Sequence, residues 1–128
     1  MRERQFRGSA GKYSLPNDKA YILISFQKNR WNTKDDLEFT INVSVIAKTE
    51  WMQAKQKYSF LGEAPTGNEH YPLDMWSRRL AMLQPGSGDK WWAVNNQDDL
   101  ESVSSDIIDR IDRDALLAIE QQMALLTQ

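Results

Sequence analysis

The residues best suited to chemistry in this chain of 128 residues are amides and cations beside a tryptophan, in the segment Gln27-Lys28-Asn29-Arg30-Trp31. Amide groups and cations next to an aromatic ring can hold carboxylates, phosphates or bases by hydrogen bonding and stacking. The same residue types recur if Arg78 lies near Lys90 and Trp92. As functional sites, these segments would suit binding rather than catalysis. For the first segment the sequence favours a solvated loop whose tryptophan packs on the edge of the core.

Catalytic and metal-binding patterns are weak by comparison. The single histidine, His70, lies beside Glu69 and Tyr71, and such an acid–histidine pair is compatible with general-base catalysis. It is accompanied by no second candidate ligand, no cysteine and no recognisable nucleophile motif. Gly8 and Gly11 are followed by no Gly-Lys-Ser/Thr sequence, so they do not predict a phosphate loop. We therefore favour a protein that is not an enzyme, with no metal and no cofactor. An enzyme that uses His70 with a nearby carboxylate stays as a third hypothesis.

Composition and charge narrow the class of protein. The sequence is 41% hydrophobic, 27% charged and 10% aromatic, which is typical of one folded domain over residues 1–128. The formal net charge of -2 provides no general attraction to nucleic acid or to an anionic membrane. The absence of cysteine fits a reducing cytoplasm. No apolar run approaches the roughly 20 residues that cross a bilayer. We therefore expect a cytoplasmic protein.

Two long antiparallel strands must position the candidate residues. Alternation from Tyr21 places Ile22, Ile24 and Phe26 on a core face. The second strand, residues 37–46, alternates apolar residues with Glu38, Thr40, Asn42 and Ser44, as an antiparallel strand wetted on one face does. The polar face predicts either a binding surface or an ordinary face that is solvated or covered. The candidate binding residues are Gln27, Lys28, Arg30, Trp31, Asn42, Arg78, Lys90 and Trp92.

The remaining elements are predicted from caps and periodicity. A short helix begins with Thr49 as its N-cap and places Trp51 as a packing anchor. Residues 73–83 suit either a helix or a strand, and the turn at 85–89 favours a strand, a turn and a strand. Asp98 or Asp99 caps a helical region over 98–126, and its spacing slips near residues 112–114, which predicts a break or bend.

In order and spacing, five segments resemble proteins that carry the domain of unknown function 4304. The segments are Phe6-Arg7-Gly8-Ser9, Leu15-Pro16-Asn17-Asp18, Phe26-Gln27-Lys28-Asn29, Phe39-Thr40-Ile41-Asn42-Val43-Ser44-Val45 and Gly88-Asp89-Lys90-Trp91-Trp92. The resemblance runs from about residue 6 to 94 and implies a bacterial protein. It brings no activity, cofactor or catalytic residue.

Two departures from that family carry structural expectations. Members usually have a helix before the position that matches Phe6, where only five residues precede it here. We expect either a longer chain upstream or another element, such as a partner chain, over the sheet. The final helix of the family tends to end in proline-tryptophan-leucine, whereas this chain has Asp114-Ala115-Leu116 and an amphipathic tail suited to association.

The sequence thus predicts an α+β domain with a mostly antiparallel sheet of four to five strands and helices packed mainly on one face. The leading hypothesis for function is a non-enzymatic bacterial interaction module of accessory or immunity type, because tryptophan and arginine are enriched at interfaces. Its partner is another protein or a second copy of the chain. The alternative is binding of single-stranded nucleic acid or a nucleotide through the basic and aromatic candidates, which requires them to converge on one surface.

Overall fold

Six antiparallel strands form one sheet in the computed structural model, which describes residues 6–9, 12–28, 37–68, 71, 75–86 and 88–126. The strands are β1 (Arg7–Ser9), β2 (Lys12–Leu15), β3 (Ala20–Lys28), β4 (Leu37–Ala47), β5 (Trp76–Arg79) and β6 (Trp92–Val94). Their order is β1-β2-β3-β4-β5, and β6 also pairs with β4. The predicted α+β class is confirmed, and the sheet is larger than expected because β4 carries both β5 and β6 on one edge.

The ladder between β3 and β4 is the centre of the sheet. It runs from the pair Ala20–Ala47 to the pair Lys28–Phe39. Because paired residues share a face, the predicted alternation gives two distinct surfaces. The helical face is apolar and carries Ile22, Ile24, Phe26, Phe39, Ile41, Val43 and Val45. The polar face carries Leu23, Ser25, Gln27, Thr40, Asn42 and Ser44.

The two strands that flank the predicted turn do not pair with each other. β5 pairs with Asn42–Val45 of β4, and β6 pairs with Leu37–Phe39 farther along the same edge. Between them a 3₁₀ turn, Leu80–Leu83, buries Leu80 and Ala81 in the core. The chain therefore leaves the edge of the sheet at Arg79 and returns in line at Trp92. The strands predicted on either side of the turn are present as β5 and β6, but both pair with β4 and not with each other.

The first helix, α1 (Lys48–Lys57), follows β4 without a loop. Its N-cap is Ala47, which makes no side-chain capping bond, so the prediction of Thr49 as N-cap was wrong. The start is fixed instead by the sheet, because the Lys48 amide donates to the Lys19 carbonyl at 2.9 Å. Trp51 is 1% exposed and packs with Ile46, Ala54 and Leu61, as predicted for an anchor.

The C-terminal helical region consists of α2 (Gln97–Arg110), a π-helical segment (Ile111–Ala115) and α3 (Leu116–Leu126). The N-cap is Asn96, whose side chain accepts from the Asp99 amide, so Asp98 and Asp99 are not the cap. The slip in periodicity is absorbed by the π segment, which takes up an extra residue without a break in the helix. The spacing thereby keeps Ile107, Ile111, Ala115 and Ile119 buried.

These helices lie against the helical face, as predicted for the main packing side. Phe26 stacks on Phe39 with ring centroids 5.4 Å apart, and Phe39 stacks on Trp92 at 6.2 Å. α1 packs against Ile46 at one end of the polar face. The loop over residues 58–68 crosses the same face, because Tyr21 Oη and Trp51 Nε1 both donate to the Glu63 carbonyl. Both faces of the sheet are therefore covered.

Candidate functional site

The polar face holds a network of hydrogen bonds centred on Asn42 of β4. Asn42 is 8% exposed, and its Nδ2 donates to Gln27 Oε1 at 3.0 Å and to Asn68 Oδ1 at 2.9 Å. Antiparallel pairing puts Asn42 of β4 opposite Arg79 of β5. Gln27 of β3 pairs with Thr40, which lies two residues before Asn42 on the same face of β4. Cross-strand neighbours therefore bring one amide from β3, one from β4 and the Arg79 guanidinium together.

Arg79 supplies the charge of this network. Its Nη1 donates to Gln27 Oε1 at 3.0 Å and to Asn42 Oδ1 at 3.1 Å. The guanidinium lies 5.6 Å from the ring centroid of Trp91, within the range of a cation–π contact. Its Nε lies 3.8 Å from Asp89 Oδ2, which is long for a hydrogen bond. The guanidinium is thus fixed on one edge by two amides.

A loop residue completes the site from outside the sheet. Asn68 accepts from Asn42 and donates through Nδ2 to the Phe26 carbonyl at 3.2 Å. The preceding residue, Gly67, contacts Ser25 so closely that a β-carbon there would overlap the Ser25 side chain. Only glycine allows this approach without a shift of the loop, and the approach places Asn68 over β3 and β4.

These residues line a pocket of about 260 Å³, which we name the amide–arginine pocket. Its lining residues are Gln27, Asn42, Gly67, Asn68, Ser77, Arg78, Arg79 and Met82. Among the described lining residues there are two arginines and no carboxylate. Only Arg79 is on the face of Asn42, because Arg78 pairs with Val43 on the opposite face. The Arg79 guanidinium therefore supplies the positive charge of the pocket, and Met82, 51% exposed, forms an apolar rim.

The hydrogen-bond balance of the pocket favours an acceptor ligand. Gln27 Oε1 already accepts from two donors, and the carbonyl oxygens of Asn42 and Asn68 accept from Arg79 and Asn42. Arg79 Nε and Nη2 and Gln27 Nε2 make no hydrogen bond within the described part of the chain. Nitrogens of this kind only donate. A carboxylate, a phosphate or a carbonyl group has the matching chemistry.

The structure separates the predicted binding residues. Gln27, Asn42 and Arg78 line the amide–arginine pocket, although the Arg78 guanidinium lies over the Trp76 ring at 5.6 Å. Lys28 lies at the opposite face, where it pairs with Phe39 and lines an apolar groove beside α2. Arg30 and Trp31 lie outside the described residues, as does His70.

Trp92 and Lys90 belong to a different cluster, around Asp106 of α2. Trp92 is 2% exposed, and its Nε1 donates to Asp106 Oδ2 at 2.9 Å. Lys90 Nζ lies 3.5 Å from the same oxygen, and Arg110 Nε lies 3.2 Å from Oδ1. These contacts tie β6 to α2. The basic and aromatic candidates among the described residues therefore do not converge on one surface.

The environment of Asp106 sets its ionisation. Burial is the largest influence and by itself raises the pKa, but the hydrogen bonds from Trp92 and Arg110 and the charges of Arg110 and Lys90 together outweigh it. The pKa of Asp106 is consequently below its ordinary value. The surrounding donors contact Asp106 in its ionised form. The cluster therefore links β6 to α2 and is not an open site.

Sequence reasoning missed Arg79 and Asn68. The signal for Arg79 was present, because alternation along β5 puts Trp76 and Arg78 on one face and Arg79 on the face of Asn42. The prediction favoured Arg78 and so selected the neighbour with the opposite orientation. No local signal identifies Asn68, since its position depends on the contact of Gly67 with Ser25.

Two further kinds of functional feature are metal sites and membrane-spanning helices. Within the described ranges, no group of three or more histidine, cysteine, aspartate or glutamate side chains could hold a metal ion. No helix among the residues that the structure describes has both the length and the apolar character for a membrane span.

Comparison with known proteins places the chain in a family without an assigned activity. The family model described as Domain of unknown function (DUF4304) matches residues 2–121, so the chain belongs to that family. The match extends beyond the resemblance expected over residues 6–94 and includes most of the C-terminal helical region. No curated protein and no solved structure gives a significant match.

Proposed function

We propose that this protein is a non-enzymatic interaction module that binds another protein by holding one of its carboxylate groups in the amide–arginine pocket. The observation that supports this most directly is the excess of donors around Arg79: among the described residues, each amide oxygen of the network already accepts a hydrogen bond, whereas three nitrogens donate none. A carboxylate accepts several hydrogen bonds at once and pairs with guanidinium in a bidentate geometry.

Preorganisation favours recognition at this position. Arg79 Nη1 is already bonded to two amides, and the guanidinium packs against Trp91, so little side-chain freedom remains to be lost on binding. The pocket volume of about 260 Å³ suits one acidic side chain or a chain terminus rather than a large ligand. Exposed Met82 at the rim supplies apolar contact for the neighbouring part of a partner.

The proposal extends to a bacterial, cytoplasmic protein of accessory or immunity type. The family resemblance supports the bacterial origin, and the cysteine-free sequence fits a reducing compartment. Binding of single-stranded nucleic acid stays a second prediction with less support. Trp92 is buried and Lys90 is paired with Asp106, so neither presents a free ring or cation to a base.

A matched pair of peptides tests the proposed chemistry. We would titrate the ¹⁵N-labelled protein with acetyl-Gly-Glu-Gly-amide and with acetyl-Gly-Gln-Gly-amide, which differ only in the carboxylate. The acidic peptide should give saturable shifts at Gln27, Asn68 and Arg79 at millimolar concentration, and it should bind at least about tenfold more tightly than the neutral peptide.

Variants assign the effect to the pocket. Arg79→Gln should remove the preference for the acidic peptide, while Arg79→Lys should weaken it because lysine lacks the bidentate edge. Arg113→Gln, which removes the same charge from the C-terminal helical region, should leave it unchanged. Equal binding of the two peptides by the wild-type protein, or a preference that survives Arg79→Gln in a folded variant, would overturn the proposal.

A further inference from the structure

A second depression lies on the polar face, on the far side of the loop from the amide–arginine pocket. We name it the edge cleft; its volume is about 460 Å³. Residues 64–68 form one wall, and β1, β2 and β3 form the floor and the opposite wall. Gly67 and Asn68 line both depressions, so this segment of loop is the partition between them.

The interior of the edge cleft is mainly apolar and aromatic. Leu23 is 8% exposed and Ser25 is 3% exposed on β3, and both point to the polar face. Tyr21 stands at one end, where its hydroxyl donates to the Glu63 carbonyl at 3.4 Å, and Pro65 is buried in the loop wall. The partition is firm because Gly67 sits directly against Leu23 and Ser25. Such a lining suits the flat or branched body of a small organic molecule.

Two cations stand at the rim of the cleft. Register places Arg7 opposite Ser14, which pairs with Leu23, and places Lys12 opposite Ser25. Both therefore project on the polar face and line the cleft. Both are exposed, and neither has an ion-pair partner within residues 6–9, 12–28, 37–68, 71, 75–86 and 88–126. None of the described residues that line the cleft is a carboxylate. The rim is electropositive and the interior is apolar.

We infer that the edge cleft is a binding site for a small organic acid with an apolar body. The body would lie on Leu23 and against Tyr21 and Pro65, while the carboxylate would meet Arg7 and Lys12 at the rim. This site is separate from the amide–arginine pocket and does not depend on Arg79. One face of the sheet then carries two sites for acceptor groups, the smaller and polar amide–arginine pocket and the larger and mainly apolar edge cleft.

The test compares an acid with an alcohol of the same shape. Titration of the ¹⁵N-labelled protein with 4-phenylbutyrate should give saturable shifts at Leu23, Ser25 and Gly67, and 4-phenylbutanol should bind about fivefold more weakly or worse. The double substitution Arg7→Gln with Lys12→Gln should abolish this difference. A double substitution of equal charge, Lys55→Gln with Arg113→Gln, should preserve it.

The Arg79→Gln variant separates the two sites. It should keep the preference of the cleft for 4-phenylbutyrate, even where it removes the response of the amide–arginine pocket to the acidic peptide. Equal affinity for the acid and the alcohol would overturn the inference. So would the absence of saturable shifts at the cleft residues in the wild-type protein, or a preference that survives loss of both rim cations but is lost in Arg79→Gln.

Discussion

The two faces of the same sheet are buried by different means. On the helical face Ile24, Ile41 and Val43 are fully buried beneath α2, the π segment and α3. On the polar face Thr40 and Ser44 are as completely buried, beneath loops and neighbouring side chains. Thr40 Oγ1 donates to the Lys90 carbonyl at 2.8 Å, and Ser44 Oγ pairs with Ser77 Oγ at 3.0 Å. Burial alone therefore does not distinguish a core from a site.

The difference between the faces lies in what burial requires. Apolar burial is non-directional and roughly proportional to area, so the helical face stabilises the fold with little geometric demand. Buried polar groups contribute only when each donor meets an acceptor. Within the described part of the chain, the polar face meets this condition for the Asn42 and Asn68 amides and leaves Gln27 Nε2 and part of the Arg79 guanidinium without an acceptor. Stability therefore resides mainly on the helical face, whereas the recognition that we propose uses the polar face.

The largest effect should come from the helical face. Ile41→Ala removes a fully buried side chain at the centre of β4 and leaves a cavity, which should lower the free energy of unfolding by about 3–4 kcal/mol. Urea denaturation followed by circular dichroism measures this loss. Leu37→Ala, at the exposed end of the same strand, is the control and should cost well under about 1 kcal/mol. Similar losses at the two positions would remove the assignment of this face as the core.

A smaller loss should follow from Asn42→Ala on the polar face. The substitution removes the acceptor of Arg79 and the donor to Gln27 and Asn68, and should cost about 2 kcal/mol because three hydrogen bonds are lost together at a residue that is itself buried. Denaturation measures the loss, and peptide titration should show weaker binding in the same variant. Thr40→Val, which removes one hydrogen bond at nearly constant shape, should cost about 1 kcal/mol and leave binding intact. A greater loss for Thr40→Val than for Asn42→Ala would contradict the central place of Asn42.

The helical face could be predicted from local pattern because its determinants are local. Alternation in β3 and β4 identified Ile22, Ile24 and Phe26 as core, and the large ring of Trp51 identified a packing anchor. The start of α1 could not be predicted, since it depends on a bond between Lys48 and Lys19 across the sheet. The in-line placement of β5 and β6 was hidden for a similar reason, because it requires Leu80 to enter a core formed by distant elements.

The polar face was predictable only in part. Alternation in β3 and β4 pointed to Gln27 and Asn42, both of which line the pocket. The roles of Trp92 and Lys90 were harder to predict. Trp92 is buried and its indole nitrogen donates to Asp106, so its ring is not available to a ligand. Residue type alone does not reveal whether a polar group finds its partner inside the fold. That question is decided by contacts between residues far apart in sequence.

The third effect concerns the tie between α2 and β6 and depends on pH. Asp106→Asn should lower the free energy of unfolding by about 1 kcal/mol at pH 7, since the carboxylate is more than a third exposed and solvent screens part of its interactions. The loss includes the cost of leaving Arg110 without its counter-charge. That side chain is 16% exposed, and its Nη1 is buried with no hydrogen-bond partner in the described part of the chain.

The sign of the pH dependence follows from the lowered pKa of Asp106. The stabilisation is complete above the ordinary pKa of an aspartate, about 3.9, and is lost as the pH falls through the lower pKa of the folded state. The difference between wild type and Asp106→Asn should therefore be constant from pH 7 down to about 5 and shrink below about 4. Asp109→Asn is the control, since Asp109 is 79% exposed, and should change stability little at any pH. A difference that grows on acidification would contradict the tie.

The smallest effect on stability should come from Asp89→Asn. This substitution tests whether the polar face can change its binding while the stability of the fold stays nearly the same. Asp89 is the carboxylate nearest the free edge of Arg79 among the described residues, at 3.8 Å from Nε, and it is 43% exposed. Because an exposed ion pair at this distance contributes little, the free energy of unfolding should change by less than about 0.5 kcal/mol.

The affinity of the same variant for the acidic peptide should increase. Loss of the internal carboxylate removes a competitor and raises the local positive potential, so acetyl-Gly-Glu-Gly-amide should bind about two- to threefold more tightly, with a smaller gain at high salt. Asp109→Asn makes the same charge change on α2 and should leave the affinity unaltered. Weaker binding in Asp89→Asn would mean that Asp89 orients Arg79 for its ligand, and the open edge of the guanidinium would then not be the recognition surface.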